Sequence, residues 1–298
     1  MRDPTTDNSV TTDAVVPGAP ALPARPVTFA YPDGTDPCWS RRLPELACAA
    51  NAVSLLMPHL EPYVVKSVRA VLPDLDPPLR ASAEAYLRQE TSHHVQHHRF
   101  NRILIARYPF LARIDRLMRR VFAWLWRTRS SDFHVAFAAA FETVAFTAAR
   151  WVDVRSERLF RDADGVPAAL FLWHLAEEAE HKRVAFDVRR ATCGSRRTYV
   201  AAIVVSVFVL ASFVVLSLPT MLKAERRLFR PIAHIRLIGW TITFLFELLP
   251  SLYFSALRSH DPDDVPDPPT LMRWLAASDR GVDDFATEHL PSLDSASW

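Results

Sequence analysis

Two segments carry metal-binding residue types at helical spacing: Glu90-Thr-Ser-His93 and Glu178-Ala-Glu-His181. Glu-x-x-His sets a carboxylate and an imidazole on adjacent turns of one helix face. Upstream of each pair an apolar stretch holds a lone glutamate, Glu61 before the first and Glu142 before the second. The intervening lengths are 28 and 35 residues. Two single glutamates plus two Glu-x-x-His pairs form the ligand set of two-metal carboxylate sites in helix bundles. The expected ligands are therefore Glu61, Glu90, His93, Glu142, Glu178 and His181. The expected cofactor is a pair of metal ions, with iron favoured over manganese or zinc for mixed carboxylate and imidazole donors.

At 100° per residue the second segment puts Leu79, Ala83, Tyr86, Glu90, His93, His97, Asn101 and Leu104 in one sector, opposite Glu84, Arg88, Arg99 and Arg102. Phe171, His174, Glu178, His181 and Ala185 share a second sector. Glu142 falls among Val135, Ala138, Ala145 and Ala149, and Glu61 among Met57, Val65, Val68 and Leu72. Burying one unpaired carboxylate costs several kcal/mol, so four on core-facing stripes call for compensating cations. A single Glu-x-x-His is usually solvated surface; two, each behind a buried lone Glu, are hard to obtain by accident. His97 and His174 stand open between direct ligation and a supporting polar role. Glu177 and Asn101 are expected to support ligands, while His94, His98, Glu180 and Asp187 are expected to face solvent or to support.

These residues need long helices to carry them. Helical periodicity covers Leu43 to about Leu72, interrupted by Pro58 and Pro62, then Leu79 to Arg107. A crossover helix follows from Phe110 to Arg129, then helices over 131–160 and 167–193. The composition agrees: among 298 residues half are hydrophobic and six are Gly, which disfavours a turn-rich β fold. The expected class is all-α: a four-helix bundle with a crossover helix and additional apolar C-terminal helices. The expected organisation is a disordered tail over 1–38, a metal-binding core over 39–195, an apolar helical pair over 196–258, and an extension over 259–298 with one short helix near Leu271–Ala277.

The 35 basic and 33 acidic residues nearly cancel, and no basic stripe with interleaved aromatics supports nucleic-acid binding. Cys38, Cys48 and Cys193 lack CxxC spacing and suit a reduced compartment, the cytoplasm or the cytoplasmic face of a membrane. The N-terminus lacks the order of a secretory signal. Val200–Leu218 is uncharged for 19 residues between Arg196/Arg197 and Lys223/Arg226/Arg227/Arg230. Its length allows either a membrane span or a core helix outside the bundle. Ile232–Leu257 contains Arg236 and Glu247 and reads as a packing or interfacial helix, so membrane association through 200–257 stays open.

The segments Leu55–Arg69, Gln89–Asn101, Phe141–Ala145 and Trp173–Asp187 resemble a bacterial family of predicted metal-dependent hydrolases, over about Arg42 to Ala277. The Ser259–Pro262 stretch is similar to the family's His-Pro element, with Asp261 intervening. The resemblance implies a ferritin-like bundle with a two-metal centre. That centre is similar to the di-iron oxygenases, in which a third histidine completes the iron shell, a place His97 or His174 fits. The leading expectation is an oxidoreductase acting on a small organic substrate with O₂ and an electron donor. A hydrolase using metal-activated water, and a non-catalytic metal-binding or membrane-tethered bundle, are the alternatives.

Overall fold

The computed structural model describes residues 22–278, apart from 24, 164 and 258. Ten α-helices and two 3₁₀ turns build these residues, and an isolated bridge between Ser40 and Ala163 is their one β-type pairing. The all-α class stands.

Local signals start the helices where they are needed. Pro44 opens α1 (Pro44–Arg69). Asp76 caps α2 (Pro77–Arg107) by accepting from the Leu79 N–H, with Pro77 at its first position. After the crossover helix α3 (Leu111–Thr128), Ser130 caps α4 (Ser131–Asp153) through the Phe133 N–H. The expected third helix to residue 160 is divided: a turn at Val154–Arg155 separates α4 from the short α5 (Ser156–Phe160). The expected fourth helix is divided too, into α6 (Gly165–His181) and α7 (Val184–Thr192), breaking just beyond His181. The break frees Lys182 and Arg183 to meet carboxylates of the 261–267 segment.

Pro58 and Pro62 do not interrupt α1, which runs through both. A helical proline removes one bond to the carbonyl four residues earlier. For Pro58 that carbonyl belongs to Ser54, and it accepts from Asn101 Nδ2 at 2.8 Å instead. The lost helical bond is thus replaced by one from α2.

α1 packs on α2 and α4, and both of these pack on the α6–α7 pair, closing a ring of four staves. α8 (Arg196–Ala224) lies against α4 and α1, α9 (Pro231–Ser255) against α4, and α10 (Pro269–Ser278) against α6 and α4. Leu271 N–H donates to Asp153 at 2.7 Å and pins α10. By length and composition α4, α8 and α9 are apolar enough to cross a membrane. α4 is largely enclosed by its neighbours, whereas α8 and α9 bury only one face.

The expected N-terminal tail is also corrected where it is described. Residues 22–38, apart from 24, form a strap over α2 and α6: Phe29 is buried against Trp173, and its N–H donates to Gln96 Oε1. Gln96 Nε2 in turn donates to the Val27 carbonyl. Apolar and hydrogen-bonded contacts of this kind repay the ordering of a segment. Residues 1–21 lie outside the described residues.

Candidate metal centre

Glu61 from α1, Glu90 and His93 from α2, Glu142 from α4, and Glu178 and His181 from α6 converge in the middle of the ring. All six are at most 2% exposed. Their unpartnered atoms face one another. Both oxygens of Glu61 and of Glu90, Oε2 of Glu142 and of Glu178, and Nδ1 of His93 and of His181 are buried without a hydrogen bond. Native interiors leave few such groups.

The hydrogen bonds around the centre fix which imidazole nitrogens face inward. His93 Nε2 donates to Glu177 Oε2 at 2.9 Å, and Arg25 holds Glu177 Oε1 at 3.0 Å. His93 therefore turns Nδ1 inward, 3.6 Å from oxygens of both Glu90 and Glu178. Gln89 Nε2 donates to the Pro23 carbonyl and to Glu180 Oε2, which leaves Oε1 as acceptor. His181 Nε2 donates to that oxygen at 2.7 Å and turns its Nδ1 inward, 3.0 Å from Glu90 Oε1 without hydrogen-bond geometry.

His174 is set by a longer chain. Asn101 Nδ2 is committed to the Ser54 carbonyl, so Asn101 Oδ1 must accept, and Ser54 Oγ supplies the proton at 2.8 Å. A hydroxyl has one proton, so Ser54 Oγ accepts from His97 Nδ1, also at 2.8 Å. His97 Nε2 then accepts from His174 Nδ1 at 2.6 Å. The remaining nitrogen, His174 Nε2, is hydrogen-bonded to Glu178 Oε1 at 2.7 Å and lies 3.6 Å from Glu61 Oε1. Three imidazole nitrogens thus meet four carboxylates in one buried volume. His97 lies within ligand reach of Glu61 and His174, but both its nitrogens are engaged, which makes it the support of His174.

The donors divide into two halves. Glu90 and Glu178 lie between His93 and His181, near both. Glu61, His93 and His174 gather on one side of them, and Glu142 and His181 on the other. Burial, reinforced by Glu90 and other carboxylates, pushes Glu61 well above the usual carboxylate range. Burial, with Glu178 and Glu90, does the same to Glu142. Burial opposes charge on His93, yet its bonds to Glu177 and Glu90 hold it well above the usual imidazole value. His97 is pushed well down by burial and by His174. Ligand groups crowded into competing protonation states in this way suit a cation, which removes the repulsion at its source. The residues present fit a metal centre, and among the described residues they form the groups able to hold an ion.

Of the residues singled out in sequence beside the six, Asn101 is hydrogen-bonded to Ser54 and Glu177 to His93. Glu180 also supports, through Gln89 and Arg25, whereas His98 is exposed and Asp187 pairs with Arg183. Sequence reasoning passed over Arg25, Ser54 and Gln89. Tyr86 shares the site sector, and its hydroxyl donates to Glu142 Oε1 at 2.6 Å. For Ser54 a signal exists: it stands four residues before Pro58, where a helix must leave a carbonyl free. Arg25 comes from a separate strap and has no such signal.

A cleft of about 1130 Å³ reaches the centre at Glu142. Its walls are α4 (Thr143, Phe146), α9 (Phe246, Phe254) and the 259–269 segment, where His260 packs edge-on against Phe186.

No curated protein and no solved structure matches the chain. A family model described as predicted metal-dependent hydrolase matches residues 23–265. The match takes in every residue named in the centre, Arg25 included. The chain belongs to the predicted metal-dependent hydrolase family.

Proposed function

We propose that the protein is a two-metal enzyme acting on an organic substrate, and that its reaction is an oxidation by a di-iron centre. The observation that carries the two-metal reading is the paired arrangement of inward, unpartnered ligand atoms around Glu90 and Glu178. Two divalent cations would balance Glu61, Glu90, Glu142 and Glu178, with neutral His93, His174 and His181 completing the shell. Four carboxylates and three imidazoles without a thiolate support iron or manganese. Bound there, such ions supply Lewis acidity and, if redox-active, electrons for O₂ chemistry.

The chain's own residues supply position and exclusion of water. Glu177 and Gln89 hold His93 and His181 with Nδ1 inward, and His97 does the same for His174 Nε2. Tyr86 keeps Glu142 directed by a short hydrogen bond. Glu142 is the ligand that also lines the cleft, so substrate would approach at its side. The aromatic side chains of Phe146, Phe246 and Phe254 favour a substrate with a substantial apolar part.

Hydrolysis is the second reading, and the family description supports it more directly than oxidation. A metal-activated water would then attack the substrate at the same place. Metal analysis with an activity screen separates the two. Two irons per chain, a charge-transfer absorption and substrate-dependent O₂ consumption support oxidation. Zinc-loaded, colourless protein that cleaves esters or amides without O₂ overturns it in favour of hydrolysis.

A further inference from the structure

The outward faces of α8 and α9 contradict the pattern of a helix that meets water. On α8 the buried row Tyr199, Ala202, Ser206, Val209 and Phe213 packs on the bundle. The opposite row, at the same helical spacing, is Val200, Val204, Phe208, Ala211 and Val215, and it is exposed. On α9 the exposed row is Ile232, Ile235, Ile238, Ile242, Leu245 and Leu249. A water-facing helix carries polar groups there, and exposed apolar patches of this extent mark an interaction surface. Both helices flank α4 and share one apolar cluster, in which Ile203, Val207 and Leu210 pack with Val144 of α4 and Leu248 and Leu252 of α9. Both outward rows are exposed away from that cluster.

Charge identifies what covers it. Arg196 and Arg197 stand exposed at one end of α8, and Lys223, Arg226 and Arg230 at the other. The acidic residues of this region are both paired: Glu225 with Arg107 and Tyr108, and Glu247 with Arg155. Phe229, 88% exposed, projects from the basic turn between the helices. An apolar face fringed with cations, with an aromatic at its margin, complements a bilayer with anionic headgroups.

Geometry selects the mode of contact. α8 is fastened along α1 and α4, so it cannot thread a bilayer without drawing in the helices that carry Glu61 and Glu142. Basic residues at both of its ends suit a helix lying in the membrane plane, where both ends reach one layer of headgroups. We propose that the outer face of α8 and α9 rests on an anionic lipid bilayer with both helix axes in its plane. This docking brings the α9 wall of the cleft, Phe246 and Phe254, to the lipid boundary. It does not depend on the chemistry of the metal centre.

The test is flotation of the full-length chain with preformed vesicles, of phosphatidylcholine alone and of phosphatidylcholine with phosphatidylglycerol. Size measurement by light scattering runs alongside. The wild type floats with the phosphatidylglycerol vesicles. The double variant Phe208→Glu/Ile235→Glu loses roughly tenfold or more of this partition, with helical content and bound metal unchanged. Lys223→Gln/Arg230→Gln weakens binding roughly tenfold, and added salt does likewise. A wild type that stays with the unbound fraction overturns the proposal. So does a discrete dimer that ignores vesicles and is dissociated by Phe208→Glu/Ile235→Glu, because the face is then covered by a second copy.

Discussion

Asn101 Nδ2 donates to the carbonyl of Ser54 at 2.8 Å, and that carbonyl is available because the residue one turn on is Pro58. From this bond the amide orientation of Asn101 follows, then the direction of the Ser54 hydroxyl, the tautomer of His97, and the nitrogen that His174 turns toward Glu178. A backbone defect in α1 is thereby linked to a donor atom on α6. Ser54→Ala or Asn101→Leu should leave the helices in place yet lower metal affinity by about 10- to 100-fold. Competition with a chromophoric chelator measures it, and unchanged affinity in both variants would remove the chain from the account.

Pro58→Ala restores an N–H that competes for the Ser54 carbonyl. The metal-free protein should gain up to about 3 kcal/mol from the repaired helix, while metal affinity falls. Thermal unfolding with and without metal reads both changes. A stability gain with undiminished affinity would show that Asn101 needs no vacated carbonyl.

His93 owes its orientation to Glu177, which Arg25 holds from the N-terminal strap. Glu177→Gln keeps the shape but removes the charge that makes His93 a strong donor, and a drop in affinity of about 10-fold or more is expected. Arg25→Met should act in the same direction and more weakly, since His93 keeps its direct partner. Larger damage from Arg25→Met than from Glu177→Gln would contradict this order.

Metal binding should release protons. In the metal-free protein burial and neighbouring carboxylates hold Glu61 and Glu142 protonated above the usual carboxylate range. His181, despite burial, is raised by Glu142, Glu178 and Glu90, and His93 by Glu177 and Glu90. A cation must displace these protons, so affinity falls as pH falls through the raised values, by about one decade per pH unit for each proton displaced. Titration calorimetry in buffers of different ionisation enthalpy counts the protons. Affinity that does not change between about pH 6 and 8 would place the ion elsewhere.

The helical class and the convergence of the six acidic and imidazole groups were legible because spacing on a helix fixes direction. Glu90 and His93 could hardly share a turn and face different ways. What spacing does not hold is the partner across the gap. Nothing local to Arg25 points at Glu177, 152 residues away, and Gln89 is an ordinary polar neighbour until His181 is set beside it. Pro58 was legible as a break in hydrogen bonding but not as a continuous helix, because the replacement donor comes from α2. The strap was read as a tail since its Pro-rich composition conceals Phe29, which is buried only where Trp173 waits.

The whole account depends on Glu90 and Glu178, which lie between the two halves of the centre. The most direct measurement is elemental analysis of wild-type protein beside Glu90→Ala and Glu178→Ala, each checked for helical content. Two metal ions per wild-type chain, and loss of most of both from either folded variant, is the expected result. Full metal content in both folded variants would contradict it.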